Sequence, residues 1–429
     1  MKDMKDETLC LHAGYDPKNG EPGVMPIVQS TTYRFDSTDR IGEIFDHPTQ
    51  ACIYSRFANP TVDAVEKRIA ALEGGVGAMC TSSGQAANLL SVLNLCQSGD
   101  SILCSSAVYG GTINLFAVTL QRFGIDCIFV APDATEAELD RAFRENTKCV
   151  FGETIANPAL VVCDIEKFAR VAHKHGVPFL IDNTFATPVL CKPFAYGADI
   201  VTHSTTKYMD GHAVQGGGVI VDSGNFDWGA AEARKKFPDF TQPDESYHGT
   251  VYTEEFGKAA YIVKVRMQLM RDFGAYPAAH SAFLLNLGLE SLAVRMPRYC
   301  ENALAVAELL AASDKVESVS YPGLPGDSQH PLAEKYLGGR GSGVISFVIK
   351  GGKPKAVQFM DSLRLACNEV HVADIRSCVL HPASETHRQL TDEQLAAAGI
   401  NPGLIRFSCG LENIEDIKAD IEQALANVH

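Results

Sequence analysis

Strand-like apolar runs recur between helix-like stretches along this 429-residue chain, and that alternation restricts the fold more than any other feature. Candidate strands at Ser101–Cys104, Cys127–Ala131, Cys149–Glu153, Val177–Asp182 and Ala198–His203 alternate with helix-like stretches such as Glu136–Asn146 and Ile165–His175. Strands joined through helices pair in parallel, and a parallel sheet needs cover on both faces. The pattern predicts an α/β fold, a mainly parallel sheet with helices on both faces. Leu292–Ala312 reads as a long helix, and strands around Val344–Val348 and Leu404–Ser408 predict a smaller C-terminal α+β domain. The organisation expected is an arm over 1–57, a large domain over 58–288 with an insert at about 225–258, and a C-terminal domain over 289–429.

Open α/β sheets bind ligands beyond the C-terminal ends of their strands. Two polar clusters fall there. One predicted strand ends at Asp182-Asn183-Thr184, and the next runs into His203-Ser204-Thr205-Thr206-Lys207-Tyr208. From residue type alone Lys207 would be a surface lysine, but its company suggests chemistry. A pyridine aldehyde cofactor needs an amine that can lose its proton and a carboxylate that keeps the ring nitrogen protonated. Lys207 is therefore a candidate Schiff-base lysine for pyridoxal 5'-phosphate, with Asp182 as the ring-nitrogen partner. Ser204 and Thr206 offer hydroxyls beside it, and Gly211, Gly216, Gly217 and Gly218 follow in a segment that reads as a loop open to a ligand. A phosphate would sit at Ser83-Gly84-Gln85, where amides open the helix-like run that follows. Alone, that serine and glycine read as an ordinary N-cap. Their pairing with the lysine segment makes them a phosphate candidate.

Further segments accompany these: Leu11-His12-Ala13-Gly14, Tyr54-Ser55-Arg56-Phe57-Ala58-Asn59-Pro60-Thr61, Val108-Tyr109-Gly110-Gly111-Thr112, Glu153-Thr154-Ile155-Ala156-Asn157-Pro158, His381-Pro382-Ala383-Ser384 and Arg406-Phe407-Ser408. In this order, nearly end to end, the chain resembles the transsulfuration (Cys/Met metabolism) family of pyridoxal-phosphate-dependent enzymes. That family includes cystathionine synthases and lyases, methionine γ-lyases and O-acetylhomoserine sulfhydrylases. The resemblance implies the aspartate aminotransferase-like fold (fold type I). It also implies Lys207 as Schiff-base lysine and proton shuttle, Asp182 on the pyridinium nitrogen, Tyr109 stacked on the cofactor ring and Asn157 on its phenolic oxygen. Tyr54 and Arg56 would reach the phosphate, and Tyr54 the substrate, from a neighbouring subunit, making the protein a homo-oligomer, by family habit a homotetramer. Arg406 would clamp the substrate carboxylate. Read alone, Asp182 is equally a strand-end cap, Tyr109 a core aromatic, Asn157 a turn former, Arg56 a surface ion-pair partner and Arg406 a structural salt bridge.

Two features favour the sulfhydrylase branch. The insert around Phe237–Gly249 resembles that of O-acetylhomoserine sulfhydrylases, and Gly111 stands where methionine γ-lyases usually carry cysteine. The implied reaction replaces acetate on O-acetyl-L-homoserine by sulfide or a thiol. A methionine γ-lyase or cystathionine γ-synthase-like activity is the alternative, and a silent cofactor-binding partner subunit a further one. One segment departs from the family pattern: His371-Val372-Ala373-Asp374 stands where relatives more often show serine or asparagine before a glycine-aspartate pair. His371 would take over contact with the substrate carboxylate, or be an ordinary loop histidine.

A net charge of -15, with no lysine-arginine stripe, argues against nucleic-acid partners. The charged start Met1–Glu7 lacks a following apolar run, so no signal peptide or membrane span is expected, and the cytoplasm is the expected compartment. The 13 cysteines are scattered, and Cys127, Cys149 and Cys191 in or beside apolar strands read as buried free thiols. His173 and His175 read as solvated helix-end histidines, and no metal site is expected.

Overall fold

The computed structural model describes residues 4–46, 51–385, 388 and 401–429. The chain forms two compact units. One comprises Met1–Thr154, Cys163–Asp210 and Val214–Ser291; the other comprises Ile155–Val162, Gly211–Ala213 and Leu292–His429.

The first unit is built on a seven-stranded sheet in the order β1-β7-β6-β5-β4-β2-β3. Its strands are β1 (Gly77–Thr81), β2 (Ser101–Ser105), β3 (Asp126–Val130), β4 (Thr147–Glu153), β5 (Phe179–Asp182), β6 (Ile200–His203) and β7 (Gly218–Asp222). From β3 to β6 all neighbours are parallel. β7 runs antiparallel to both β6 and β1, so β1 points the same way as the parallel set. Every residue of β2, β5, β6 and β7 is buried. Since successive side chains point to opposite faces, the sheet is covered on both sides. Gly218, read in the sequence as loop, opens β7.

Before the sheet come α1 (Asp6–His12), α2 (Thr38–Asp46) and α3 (Pro60–Glu73), and α4 (Gly84–Leu93) follows β1. α3 carries both of its terminal signals in sequence. Asn59 caps it, accepting from Thr61 N at 3.0 Å, with Pro60 in the first turn, and Gly74 at φ 80° closes it by donating a hydrogen bond from its N–H to Ala70 O. α4 starts at Ser83, whose hydroxyl accepts from Ala86 N at 3.1 Å. The helix expected over Glu136–Asn146 is shorter, Glu136–Ala142, because Phe143 turns extended. The insert region folds within this unit as short helices over Ala231–Lys236, Pro238–Thr241 and Tyr252–Glu255. Trp228 stacks on Phe240 there, with ring centroids 4.1 Å apart. His173 and His175 are more than solvated helix-end residues: their Nε2 atoms lie 2.8 Å from Asp199 and 2.9 Å from Asp140.

The second unit has a five-stranded sheet in the order β10-β11-β12-β9-β8. Its strands are β8 (Val316–Ser320), β9 (Val344–Ile349), β10 (Cys367–Asn368), β11 (Cys378–Leu380) and β12 (Leu404–Ser408), antiparallel except for β10 with β11. Its core gathers Val306 and Leu310 from the helix Leu292–Ala311, Ile345 and Phe347 from β9, Phe359, Phe407, and Ile417 and Ile421 from the last helix, Ile414–Ala426. Among the described residues no helix is long and apolar enough to cross a membrane.

Candidate active site

Because β1 joins the parallel set in direction, the C-termini of β1, β4, β5 and β6 lie on one edge of the first unit's sheet. Glu153, Asp182 and Thr202 are register partners across β4, β5 and β6. Asp182 is buried, with 7% of its surface exposed. Its Oδ1 accepts from the Thr184 amide at 3.0 Å and from the Thr184 hydroxyl, and its Oδ2 accepts from Asn88 Nδ2 at 3.3 Å. Thr184 Oγ1 also accepts from Ser204 N at 2.8 Å, so one hydroxyl joins the carboxylate to the loop that carries Lys207. Asn88 Oδ1 accepts from Thr202 Oγ1 at 2.6 Å, which ties α4 to β6 behind the same carboxylate. The half-buried Lys207 is placed by a turn in which its amide donates to Ser204 O at 3.2 Å.

The start of α4 stands against this loop. Its first intrahelical bond runs from Ala87 N to Ser83 O at 3.1 Å, so the Gly84 and Gln85 amides precede the helical ladder. Ser83's own hydroxyl is spent on the cap, as the plainer sequence reading had it. A Cβ on Gly84 would lie 2.6 Å from Ser204 Cβ and 3.1 Å from Ser204 Oγ. Only glycine therefore brings this backbone and the Ser204 hydroxyl together. Thr206 Oγ1 accepts from Gly217 N at 3.0 Å, so its hydroxyl also braces the glycine loop.

Tyr109 is half exposed, and its amide donates to Glu153 Oε2 at 2.5 Å. A Cβ at Gly111 would meet the Tyr109 ring at 2.4 Å and Gln85 Nε2 at 2.7 Å, so glycine permits that close packing too. Gln85 Oε1 is buried with no hydrogen-bond partner among the described residues. Helix-start amides, the Ser204 hydroxyl, a buried carboxylate and an accessible aromatic face fit a phosphate-bearing pyridine ring. Arg56, with Tyr54 beside it, packs on the segment around Arg271–Gly274, and the next residue, Ala275, accepts from Ser82 N at 2.7 Å. Arg56 lies over the Tyr54 ring at 5.3 Å and donates to Arg271 O at 2.7 Å. Tyr54 is 37% exposed.

The remaining candidates fall in the second unit. Arg406, on β12, is buried and donates to Val370 O at 3.2 Å, His371 O at 3.0 Å and Asn157 Oδ1 at 3.4 Å. The structure thus puts Asn157 with Arg406, although sequence position had placed it in the large domain. His371 holds the arginine with its carbonyl, which also accepts from the Cys378 thiol at 3.3 Å. Burial pushes that thiol up to about 11, against the opposing pull of Arg406. The His371 ring lies 3.7 Å from Asp374 Oδ2.

Asn88, Thr184 and Thr202 were given no role by sequence reasoning. For Asn88 a signal existed: it stands three residues after Gln85 in one helix, hence on the same face. Thr184 bonds Asp182 two residues back, a spacing at which a short polar side chain commonly turns on its neighbour; its link to Ser204 and that of Thr202 to Asn88 join distant segments that no spacing reveals.

A carboxylate and a lysine on neighbouring strand ends of a parallel sheet, beside a glycine-opened helix start, define a pyridoxal-phosphate-dependent enzyme of the aspartate aminotransferase-like fold. The family model described as Cys/Met metabolism PLP-dependent enzyme matches residues 7–426. The homocysteine/cysteine synthase of Kluyveromyces lactis is 46% identical, over 98% of this chain and 97% of its own. The O-acetyl-L-homoserine sulfhydrylase of Leptospira meyeri is 42% identical, over 100% of this chain and 98% of its own. A solved O-acetylhomoserine (thiol)-lyase of Campylobacter jejuni superposes with a TM-score of 0.92 at 36% identity, covering 99% of this chain and 100% of that one. It carries pyridoxyl-5'-monophosphate on a lysine. The chain belongs to the Cys/Met metabolism family of pyridoxal-phosphate-dependent enzymes.

Proposed function

We propose that the chain catalyses γ-replacement on O-acetyl-L-homoserine, with sulfide displacing acetate to give L-homocysteine. The observation that carries this reading is the Thr184 hydroxyl, which joins the Asp182 carboxylate to the Ser204–Lys207 loop. Gly111, the insert, and full-length relatives named as sulfhydrylases or homocysteine synthases support this branch over the γ-lyases.

Pyridoxal phosphate, when bound, supplies the electron sink that makes protons at Cα and Cβ of an amino acid removable. The chain supplies position and proton transfer. Asp182, oriented by Thr184 and Asn88, holds the ring-nitrogen proton by a charge-assisted hydrogen bond. Tyr109 covers the ring face, and the Gly84 and Gln85 amides with Ser204 and Thr206 take the phosphate. Asn157 serves the phenolic oxygen. Lys207 Nζ takes the Cα proton and returns one there at the end, and the same amine serves Cβ while acetate leaves Cγ and sulfide adds. Arg406 takes the substrate carboxylate through its planar fork, with His371 beside it. Tyr54 and Arg56 complete a neighbouring subunit's site, making the enzyme a homo-oligomer, a tetramer of paired dimers, working in the cytoplasm.

The test is a product assay on O-acetyl-L-homoserine with and without sulfide, following homocysteine, acetate and 2-oxobutyrate. Homocysteine and acetate in equal amounts, only with sulfide, are expected. Dominant 2-oxobutyrate, or methanethiol released from methionine, would make this a γ-lyase instead.

A further inference from the structure

Glu73 and His203 lie outside the cofactor set yet stand directly behind it. Glu73 closes α3 and His203 closes β6; both side chains are fully buried, with His203 Nε2 2.6 Å from Glu73 Oε1. The same oxygen accepts from Asn183 Nδ2 at 3.1 Å. Asn183 also donates to Cys191 O at 3.0 Å and accepts from Thr154 Oγ1 at 2.8 Å. The network ties the residues that follow β4 and β5 and the last residue of β6 to the end of α3. Asn183 is the neighbour of Asp182, and His203 that of Ser204.

Three costs attach to this arrangement. A carboxylate at a helix C-terminus meets the negative end of the dipole. An acid and an imidazole forgo water, and apolar residues in their place are often no less stabilising. Glu73 Oε2 and His203 Nδ1 have no hydrogen-bond partner among the described residues. Stability alone does not account for such a pair. We propose that Glu73 and His203 are positioning residues that fix the separation between the Asp182 carboxylate and the Ser204–Lys207 loop, acting through Asn183 and through the His203 backbone. The inference rests on the cofactor site proposed above.

The test compares holoenzymes carrying Glu73→Gln, His203→Gln, both together, and Ile69→Val, a buried cavity change on the same helix. The wild type is examined first for a visible cofactor band quenched by borohydride; its absence would strike at the site itself rather than at the pair. Visible circular dichroism per mole of bound cofactor reads its geometry, and kcat and KM are measured alongside. Each single variant is expected to change the dichroic band and to lower kcat roughly 10- to 100-fold with KM little altered. The double variant should fall no further than the worse single one, because the two act as a unit. Ile69→Val should lose thermal stability and keep band and kcat. Singles that behave like Ile69→Val, or losses that multiply in the double variant, would overturn the proposal. Should the singles fail to fold, Asn183→Ser cuts the link and leaves the pair. It must show the same change in band and kcat, and an unchanged band would equally overturn it.

Discussion

At the scale of single residues, the site is a set of short polar side chains that hold one carboxylate still. Asp182 meets three donors, and two of them, the amide and hydroxyl of Thr184, come from a residue that also grips the lysine loop. Asp182→Asn keeps the shape but exchanges the charge-assisted bond proposed to a ring nitrogen for a neutral one, a loss of about 1.5–3 kcal/mol. That corresponds to kcat lowered roughly 10- to 100-fold with the cofactor still bound, measured by steady-state kinetics beside cofactor content. Gly84→Ala places a methyl 2.6 Å from Ser204 Cβ, where one of them must move. The expected outcome is loss of cofactor affinity together with about 1–3 kcal/mol of stability, read by cofactor titration and thermal unfolding. An alanine variant with wild-type affinity would remove Gly84 from the phosphate site.

At the scale of elements, β2 to β6 were legible in sequence as apolar runs between helix-like stretches, and those of β4, β5 and β6 stop at Glu153, Asp182 and His203. β1 and β7 were not, because Gly77–Thr81 and Gly218–Asp222 open on glycine and the second follows a glycine-rich loop. Their pairing reverses direction at β7, which local propensity cannot report. The helix start proposed for the phosphate was legible as a cap-and-glycine signal; the Asn88–Thr202 and Glu73–His203 links were not, since each joins residues more than 100 positions apart. β7 also carries a pH dependence. Asp222 ends it, accepting from Gly224 N at 2.8 Å and Ile262 N at 3.3 Å, and burial pushes its carboxyl up to about 7. The folded state then keeps a proton that the unfolded chain releases above about pH 4. The stability this group contributes is full below that pH and is lost as pH rises through about 7. Relative to Asp222→Asn, the wild type should lose on the order of 2–4 kcal/mol between pH 4 and pH 8, measured by urea unfolding. Parallel stability curves for the two proteins would contradict a raised carboxyl.

At the scale of the whole molecule, none of the 13 cysteines, all among the described residues, is in a disulfide; Cys367 is the exposed one, with Cys52 and Cys127 half-buried. Burial raises the thiols of Cys80, Cys104 and Cys191 well above the ordinary value and pushes Cys163 up to about 12. A thiol reagent should label Cys367 first in the native protein and reach the buried set only on unfolding, as peptide mapping would show. The proposed sharing of sites between subunits makes a separate prediction. Lys207→Ala and Arg56→Ala proteins, each nearly inactive alone, should regain activity when dissociated and reassembled together, because a mixed dimer contains one site free of both changes. No recovery in verified hybrids would place Arg56 in its own subunit's site or in none. Attachment of the cofactor to Lys207, four residues beyond β6, is read out by borohydride reduction of the holoenzyme followed by peptide mapping. A single pyridoxyl-lysine is expected, at Lys207, with the visible band and the activity lost together. A modified lysine elsewhere, or a reduced enzyme that still turns over, would contradict it.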